Sequence, residues 1–531
     1  MLILLVFQIF FSYLKSQGLA PLNPEYIAYT GEYESLKKSS QSNSGGFIPH
    51  SFVFNYDNLR EQSETYDLEP IYDLRKKGWV TSVKNQGNCG ACWAFATMAA
   101  LESNWLKFKN VTYDLSEQHL RTCHGFEWTP CQGGGPHMSA AYFSRFQGPV
   151  TENSSVYNTN ATASCFDNLP LFAYVADTRF ISNDRNAVKK AILDYGGVTA
   201  CFFWNDSLFN PDNNTYYFNG KNVTNHLILL AGWDDTKITK GGVGAWIVKN
   251  SYGSSWGEKG YFYIAYQDSK ILTEISFFPT TVWNPTFSIF GYDKLGMTNS
   301  FGGWGDYTAF GLTVFKASAK QKVVSVGTYV NTANAKIDIS IFHKFKNGKL
   351  TDTLSCYSQT CNLPGYYTFN LKKSFIINRN DSFYVRVKYS TPKYDYPIPV
   401  EYPNEKSNPV IFSNVNWIGH DGCTWIPAES KNLNLCIKYA AVLLETNSVE
   451  SMEKSGELSV YPNPVNDQLK IEYLQGRKLD ISVFNIAGQL VLLKKLDTDV
   501  RDFDISHLSK GIYFVKLFDG EKYLTQKIVK E

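Results

Sequence analysis

The run Gln86-Gly-Asn-Cys-Gly-Ala-Cys-Trp-Ala-Phe95 sets a cysteine at the start of an apolar helical stretch, directly behind a glycine-rich loop. A helix N-terminus carries unpaired N–H groups and the positive end of the backbone dipole, so it favours the thiolate form of Cys92 and lowers its pKa. Gly87 and Gly90 let the backbone approach a substrate closely. Gln86, six residues before Cys92, carries a side-chain amide able to donate to an oxygen that becomes negative during acyl transfer. The helix extends to about Lys107, with Ala96, Ala99, Ala100 and Ser103 allowing close packing.

A cysteine nucleophile needs a base close in space, and the base needs a third group to hold its ring. Among eight histidines, His226 opens the strand-like run His-Leu-Ile-Leu-Leu-Ala-Gly232, which puts its imidazole at a strand end. Asn250 follows the apolar strand Ala245-Trp-Ile-Val-Lys249 and can accept from one ring nitrogen, leaving the other for sulfur. A lone cysteine is usually a buried thiol, and a lone histidine beside apolar residues is usually structural; the three residues together favour chemistry. His119, His124 and His137 begin no such strand and read as ordinary, and Glu102 on the cysteine helix reads as an ion-pair member.

These residues carry a resemblance. Cys89-Gly-Ala-Cys-Trp93 fits the C-G-[SA]-C-[WY] run of papain-like enzymes, and the chain is similar to the papain family of cysteine peptidases. His226 falls within the family's interval after the nucleophile and Asn250 slightly beyond it. Leu115-Ser-Glu-Gln118, Cys131-Gln-Gly-Gly134 and Lys249-Asn-Ser-Tyr-Gly-Ser-Ser-Trp-Gly257 add matches in the family's order, over about residues 68 to 278.

The resemblance implies an α+β, two-lobed catalytic domain over 67–280 in which Cys92, His226, Asn250 and Gln86 are catalytic. Gly133 and Gly134 would offer backbone to an extended peptide as an added strand, with Asn225 and Leu227 bordering a side-chain pocket. It implies the bridges Cys89–Cys131 and Cys123–Cys165, with Cys92 reduced and Cys201 buried. It implies neither metal nor cofactor. Tyr252 stands where the family usually has a tryptophan shielding the asparagine, which predicts a wetter bond from Asn250 to His226. The long helical propeptide of many relatives is absent, which leaves the mode of latency open.

Residues 2 to 14 are mostly apolar, with Lys15 and Ser16-Gln-Gly18 behind them, so 1–18 reads as a secretory signal peptide. The stretch is too short to span a bilayer, and no later one is long enough, so no transmembrane segment is expected. Ten cysteines in an exported chain favour disulfides over metal sites. Residues 19–66 are polar and read as a short propeptide or linker. A net charge of +2 and no basic stripe exclude nucleic acid as an indicated partner. The Asn-x-Ser/Thr triplets mostly reflect an asparagine-rich composition.

From 287 to 445 short strands and regular turn signals predict an all-β antiparallel sandwich. Tyr292-Asp-Lys-Leu-Gly296, Val324-Ser-Val-Gly-Thr-Tyr329, Leu363-Pro-Gly-Tyr-Tyr367 and Asn434-Leu-Cys-Ile-Lys438 resemble the jelly-roll-like, lectin-like domain that accompanies some secreted bacterial papain-type enzymes. Carbohydrate is thus a candidate partner, although Trp304, Trp417 and Trp425 read better as partly buried sandwich aromatics than as a sugar platform. Cys356 with Cys361 and Cys423 with Cys436 are expected as local bridges. Residues 446–457 read as a linker.

Residues 458–531 form the last segment. Tyr461-Pro-Asn-Pro464, Val483-Phe-Asn-Ile-Ala-Gly-Gln489 and Leu508-Ser-Lys-Gly-Ile-Tyr-Phe-Val-Lys516 resemble the C-terminal sorting domain of the type IX secretion system of Bacteroidetes. That implies a small β-sandwich, secretion machinery as a partner, and a secreted or cell-surface protein.

The expected activity is a secreted cysteine endopeptidase that cleaves peptide bonds of proteins or peptides through a thiolate–imidazolium pair and an acyl-enzyme. The alternative is a surface adhesin or glycan-binding protein whose peptidase domain is vestigial.

Overall fold

The computed structural model describes residues 17–39, 46–57, 59, 68–167, 169–404, 406–444, 458–473, 479–485, 490–496, 502–518 and 523–531. Of the expected signal peptide only residues 17 and 18 are among them, and the expected linker 446–457 lies outside them. The chain divides into two units, 1–165 with 173–444, and 166–172 with 445–531.

In the first unit, helix α2 (Cys92–Lys109) is built from small and apolar residues and is buried along most of its length. It stops at Asn110, whose left-handed conformation closes the last turn through a bond to the carbonyl of Leu106, with Lys107 and Lys109 beside the exposed carbonyl end. Helix α3 (Glu117–Cys123) starts where the Ser116 hydroxyl accepts from His119 N–H. Helix α4 (Pro136–Ser144) opens on proline, which needs no N–H partner there. These helices make one lobe.

The other lobe is a run of neighbouring antiparallel strands: Thr178–Ile181, Ile275–Phe277, Val198–Phe202, His226–Thr239, Gly242–Lys249 and Tyr261–Ala265. Its core holds Phe202, Ile228, Leu230, Trp233, Trp246, Val248 and Phe262. Helix α2 packs against the strand His226–Thr239, so the start of the helix and the start of that strand meet where the two lobes join. The α+β, two-lobed expectation holds.

The sandwich follows. One sheet contains Lys349–Cys361, Ala335–Lys346, Ser382–Ser390, Thr308–Lys316 and Asn416–Gly419. Facing strands Ser288–Gly291, Ile437–Leu443, Gln321–Val330 and Gly365–Ile377 close a core of Val323, Val326, Ile337, Ile339, Val385, Val387 and Ile437. Gly365 and Tyr366 also pair with Arg179 and Thr178, so one sheet runs continuously from the catalytic-type lobe into the sandwich. Trp304, Trp417 and Trp425 are half-buried.

Two expected bridges are not formed. Cys356 and Cys361 are both free and lie on one strand, Lys349–Cys361, where an odd separation points them to opposite faces. A span of five residues along a strand, about 16 Å, is also far beyond disulfide reach. Cys423 is exposed and Cys436 is fully buried beside Met297, Tyr329 and Tyr366, so this pair is free as well. The strand has no clean apolar alternation, since Leu350, Leu354 and Cys356 fall on one parity and Tyr357 and Cys361 on the other.

The segment before the catalytic-type lobe is more structured than its composition implies. Helix α1 (Pro24–Ser39) lacks an apolar stripe and, over residues 24–31, buries Tyr26 and Tyr29, with Glu25 paired to Lys270 at 2.5 Å. Before it, Gly18–Leu19 adds a strand to Asn299–Gly302 of the sandwich. After it, Asn55 bridges Thr332 of the sandwich.

The second unit contains two small sheets. Leu458–Tyr461, Gln468–Tyr473 and Asp502–Asp504 form one, and Leu490–Leu496, Leu479–Asn485, Gly511–Phe518 and Tyr523–Lys530 the other. Val460, Leu469, Ile471, Ile481, Val483, Phe503, Val515 and Ile528 make its core.

Candidate active site

Cys92 begins α2 and is fully buried, with the Leu227 backbone N–H donating to its Sγ at 3.5 Å. That bond brings the start of the strand His226–Thr239 onto the sulfur. His226 Nε2 bonds Asn250 Oδ1 at 2.9 Å, and His226 Nδ1 has no hydrogen-bond partner among the described residues. The arrangement therefore commits one ring nitrogen to the asparagine and leaves the other available.

Gln86 is also buried. Its Nε2 donates to the Cys89 carbonyl at 2.9 Å, its Oε1 accepts from Ser251 Oγ at 2.5 Å, and its backbone N–H bonds Ser251 O. An amide nitrogen has two protons, so one remains for an oxyanion. The bridges Cys89–Cys131 and Cys123–Cys165 are both formed, and the first ties the loop before Cys92 to the loop that carries Gly133 and Gly134. Cys201 is free and buried.

The titration of the pair departs from the expectation drawn from the helix end. Burial pushes the Cys92 thiol up to about 11, while hydrogen bonds from the backbone of Leu227, Gly46, Trp93 and Cys92 itself pull the other way. Burial likewise pushes His226 down to about 4 against the raising effect of Asn250. Desolvation disfavours both charged forms, so burial under the cover favours neutral thiol and neutral imidazole. Tyr252 is packed on the His226 ring with centroids 5.2 Å apart, and Trp204 and Trp256 lie around Tyr252. Asn250 is 3% exposed, so the expected wetter bond is not observed.

A profile of the papain family of cysteine proteases matches residues 68–278, which hold Gln86, Cys92, His226, Asn250 and Tyr252. This domain belongs to the papain family of cysteine proteases. A lectin-like domain profile matches 289–441, and a secretion-system C-terminal sorting domain matches 459–531 and points to a secreted or cell-surface protein. The chain is 30% identical to mouse cathepsin F over 204 residues, 37% of this chain and 42% of that protein. It is 35% identical to bovine pro-cathepsin H over 202 residues, 37% of this chain and 59% of that protein. The chain thus spans about half the length of these relatives. Among solved structures, the cysteine protease and lectin-like domains of Cwp84, a surface layer associated protein of Clostridium difficile, match with a TM-score of 0.70. They share 21% identity over 81% of this chain and 99% of that chain, a likeness of fold.

The cleft of the papain-family domain is covered by the chain's own N-terminal segment. Gly134 N–H donates to Gly46 O at 3.1 Å and Ile48 N–H donates to Gly134 O at 2.8 Å, a parallel bridge centred on Phe47. Phe47 N–H bonds Asn225 O at 3.2 Å. Gly46 lies so close to Gly90 that a Cβ on it would come within 2.3 Å of the Gly90 carbonyl carbon. A Cβ on Gly134 would meet the Trp93 ring at 2.4 Å. So Gly90, Gly134 and Asn225 do present backbone to an extended segment, and that segment is residues 46–48. Leu227 contributes its N–H to Cys92.

Several participants escaped the sequence reading. Ser251 holds both Gln86, through Oε1, and Asn250, whose Oδ1 accepts the Ser251 N–H at 2.9 Å. Its adjacency to Asn250 was the only available signal. Tyr157 OH bonds Gln86 O at 2.7 Å. His50 of the covering segment is buried, with its N–H on Glu274 Oε1 at 3.0 Å, its Nε2 3.2 Å from Glu274 Oε2, and its ring stacked on Phe52. No local pattern links residue 50 to residue 274. Glu102 is an ion-pair member, 3.2 Å from Lys84.

Proposed function

We propose that the chain is an exported cysteine endopeptidase made in a latent form. After residues 46–57 leave the cleft, water reaches the pair, the desolvation that holds it neutral is relieved, and a proton passes from Cys92 Sγ to His226. The thiolate attacks the substrate carbonyl carbon. The oxyanion takes hydrogen bonds from the Gln86 amide and the Cys92 backbone N–H, and imidazolium protonates the departing amine. Water then attacks the acyl-enzyme, with His226 as base. Gly133 and Gly134 bind the peptide as an added strand, and Asn225 borders the pocket beside it.

The observation that carries this reading is the Asn250–His226 bond next to a free Cys92 that accepts from Leu227 N–H. Cleavage between the cover and residue 68 is the proposed route to the active form. The test is hydrolysis of a peptide library by the purified chain before and after limited proteolysis, read by mass spectrometry. Turnover is expected only after processing and is expected to vanish in Cys92→Ala. A processed Cys92→Ala protein that still cleaves would reject the assignment.

A further inference from the structure

We propose that Asp293 and Lys438, buried in the lectin-like domain, condense into an intramolecular isopeptide bond that joins the domain's first and last strands covalently.

The placement comes from the sheet. Asp293 lies two residues after the strand Ser288–Gly291, and Lys438 is the second residue of Ile437–Leu443. These strands pair antiparallel with Gly291 opposite Lys438. Lys438 Nζ is in direct contact with Asp293 Oδ2, and their side chains are 2% and 0% exposed. A buried ion pair lacks the hydration that normally keeps an amine and a carboxylate from condensing. Replacing it by an amide exchanges two dehydrated charges for one neutral polar group. Fixed contact also supplies the effective concentration that a bimolecular condensation lacks.

A third group can move the protons. Glu401 is fully buried, with Oε1 accepting from Leu295 N–H at 2.6 Å and Oε2 from Asn434 Nδ2 at 2.7 Å. It lines the same cavity, of about 400 Å³, as Asp293 and Lys438. Burial, then the charge of Asp293, raises Glu401 to about 7 against the opposing pull of its hydrogen bonds from Asn434 and Leu295 and of the charge of Lys438. Burial raises Asp293 too. Glu401, which shares this cavity with the pair, is the group the proposal assigns to carry the proton.

The step balances. The ammonium of Lys438 gives up a proton to the carboxylates, and the freed Nζ lone pair attacks Cγ of Asp293. The nitrogen loses a second proton, the Cγ–OH bond breaks, and oxygen leaves as water after protonation through Glu401. One amide forms, one water is released, net charge is unchanged, and no oxidant or other reactant is consumed. The cavity beside the pair gives the water somewhere to go.

The test is the intact mass of the secreted full chain after reduction and alkylation, followed by tandem mass spectrometry of a proteolytic digest. The expected result is a mass one water below the sequence value and a branched peptide joining residues 293 and 438. Glu401→Gln is expected to leave the two residues unlinked, at the uncondensed mass. A wild-type chain at the full mass, with Lys438 open to an amine reagent once denatured, would show an ion pair only and overturn the proposal. A Glu401→Gln chain that still condenses would overturn the role of Glu401.

Discussion

Asn250 Oδ1 meets His226 Nε2 at 2.9 Å, and this one bond decides which ring nitrogen is left for chemistry. Removing it should affect turnover more than binding. Asn250→Ala is expected to lower kcat by about 10- to 100-fold, short of the ~10²- to 10⁴-fold that general acid–base catalysis supplies in full. Burial lowers the His226 pKa and the Asn250 bond raises it, so losing the bond should also draw the alkaline limb of the pH profile to lower pH. Peptide hydrolysis by the processed enzyme across a pH series measures both effects.

Ser251→Ala removes the hydroxyl that donates to Gln86 Oε1 but keeps the backbone N–H that holds Asn250. The expected outcome is a fall in kcat of a few fold, from a loosened Gln86, with KM little changed. Steady-state kinetics beside Gln86→Ala would separate the roles, since the two losses should not add if Ser251 acts through Gln86.

Cover and reactivity should move together. With the thiol pushed up to about 11, roughly one Cys92 in a thousand is ionised at pH 8. Alkylation by iodoacetamide is therefore expected to be slow in the unprocessed chain and to accelerate by at least ~100-fold once residues 46–57 are gone. Peptide mapping of labelled Cys92 over time is the readout.

The lectin-like domain helps to hold the cover. Thr332 Oγ1 donates toward Asn55 O and Asn55 Oδ1, each at 3.1 Å, and Asn55 also bonds the backbone of Asn331 and Ala333. Thr332→Val keeps the shape and deletes the hydroxyl bonds, a loss of about 1 kcal/mol. That should raise Cys92 labelling of the unprocessed chain by about fivefold, with no change after processing.

Gly134→Ala should damage latency and turnover at once, because the same backbone serves the cover and the substrate. The added methyl would press on the Trp93 ring and cost about 1–3 kcal/mol of stability. Thermal unfolding and processed-enzyme activity would both drop.

The candidate site was legible because its parts are local. The Gln86–Phe95 run, the strand opening at His226 and the strand ending before Asn250 each keep their meaning in a short window. The strand Lys349–Cys361 was not legible, because a polar edge strand has no apolar alternation and takes its conformation from Ala335–Lys346 beside it. Helix α1 was missed for the same reason. The supposed bridges at 356/361 and 423/436 came from closeness in sequence, which says nothing about the face to which a side chain points.

The sequence by itself determined which residues are candidates for the chemistry and in what order the domain types follow, because a thiol, an imidazole and an amide are fixed by residue type and local pattern. Only the tertiary structure decided the state of the site. Residues 46–48 lie across Gly134, His50 lies on Glu274 and Asn55 lies on Thr332, and these long-range contacts fix the segment beside the buried Cys92 and His226. Ionisation follows hydration, and hydration is set by what the folded chain lays over the site.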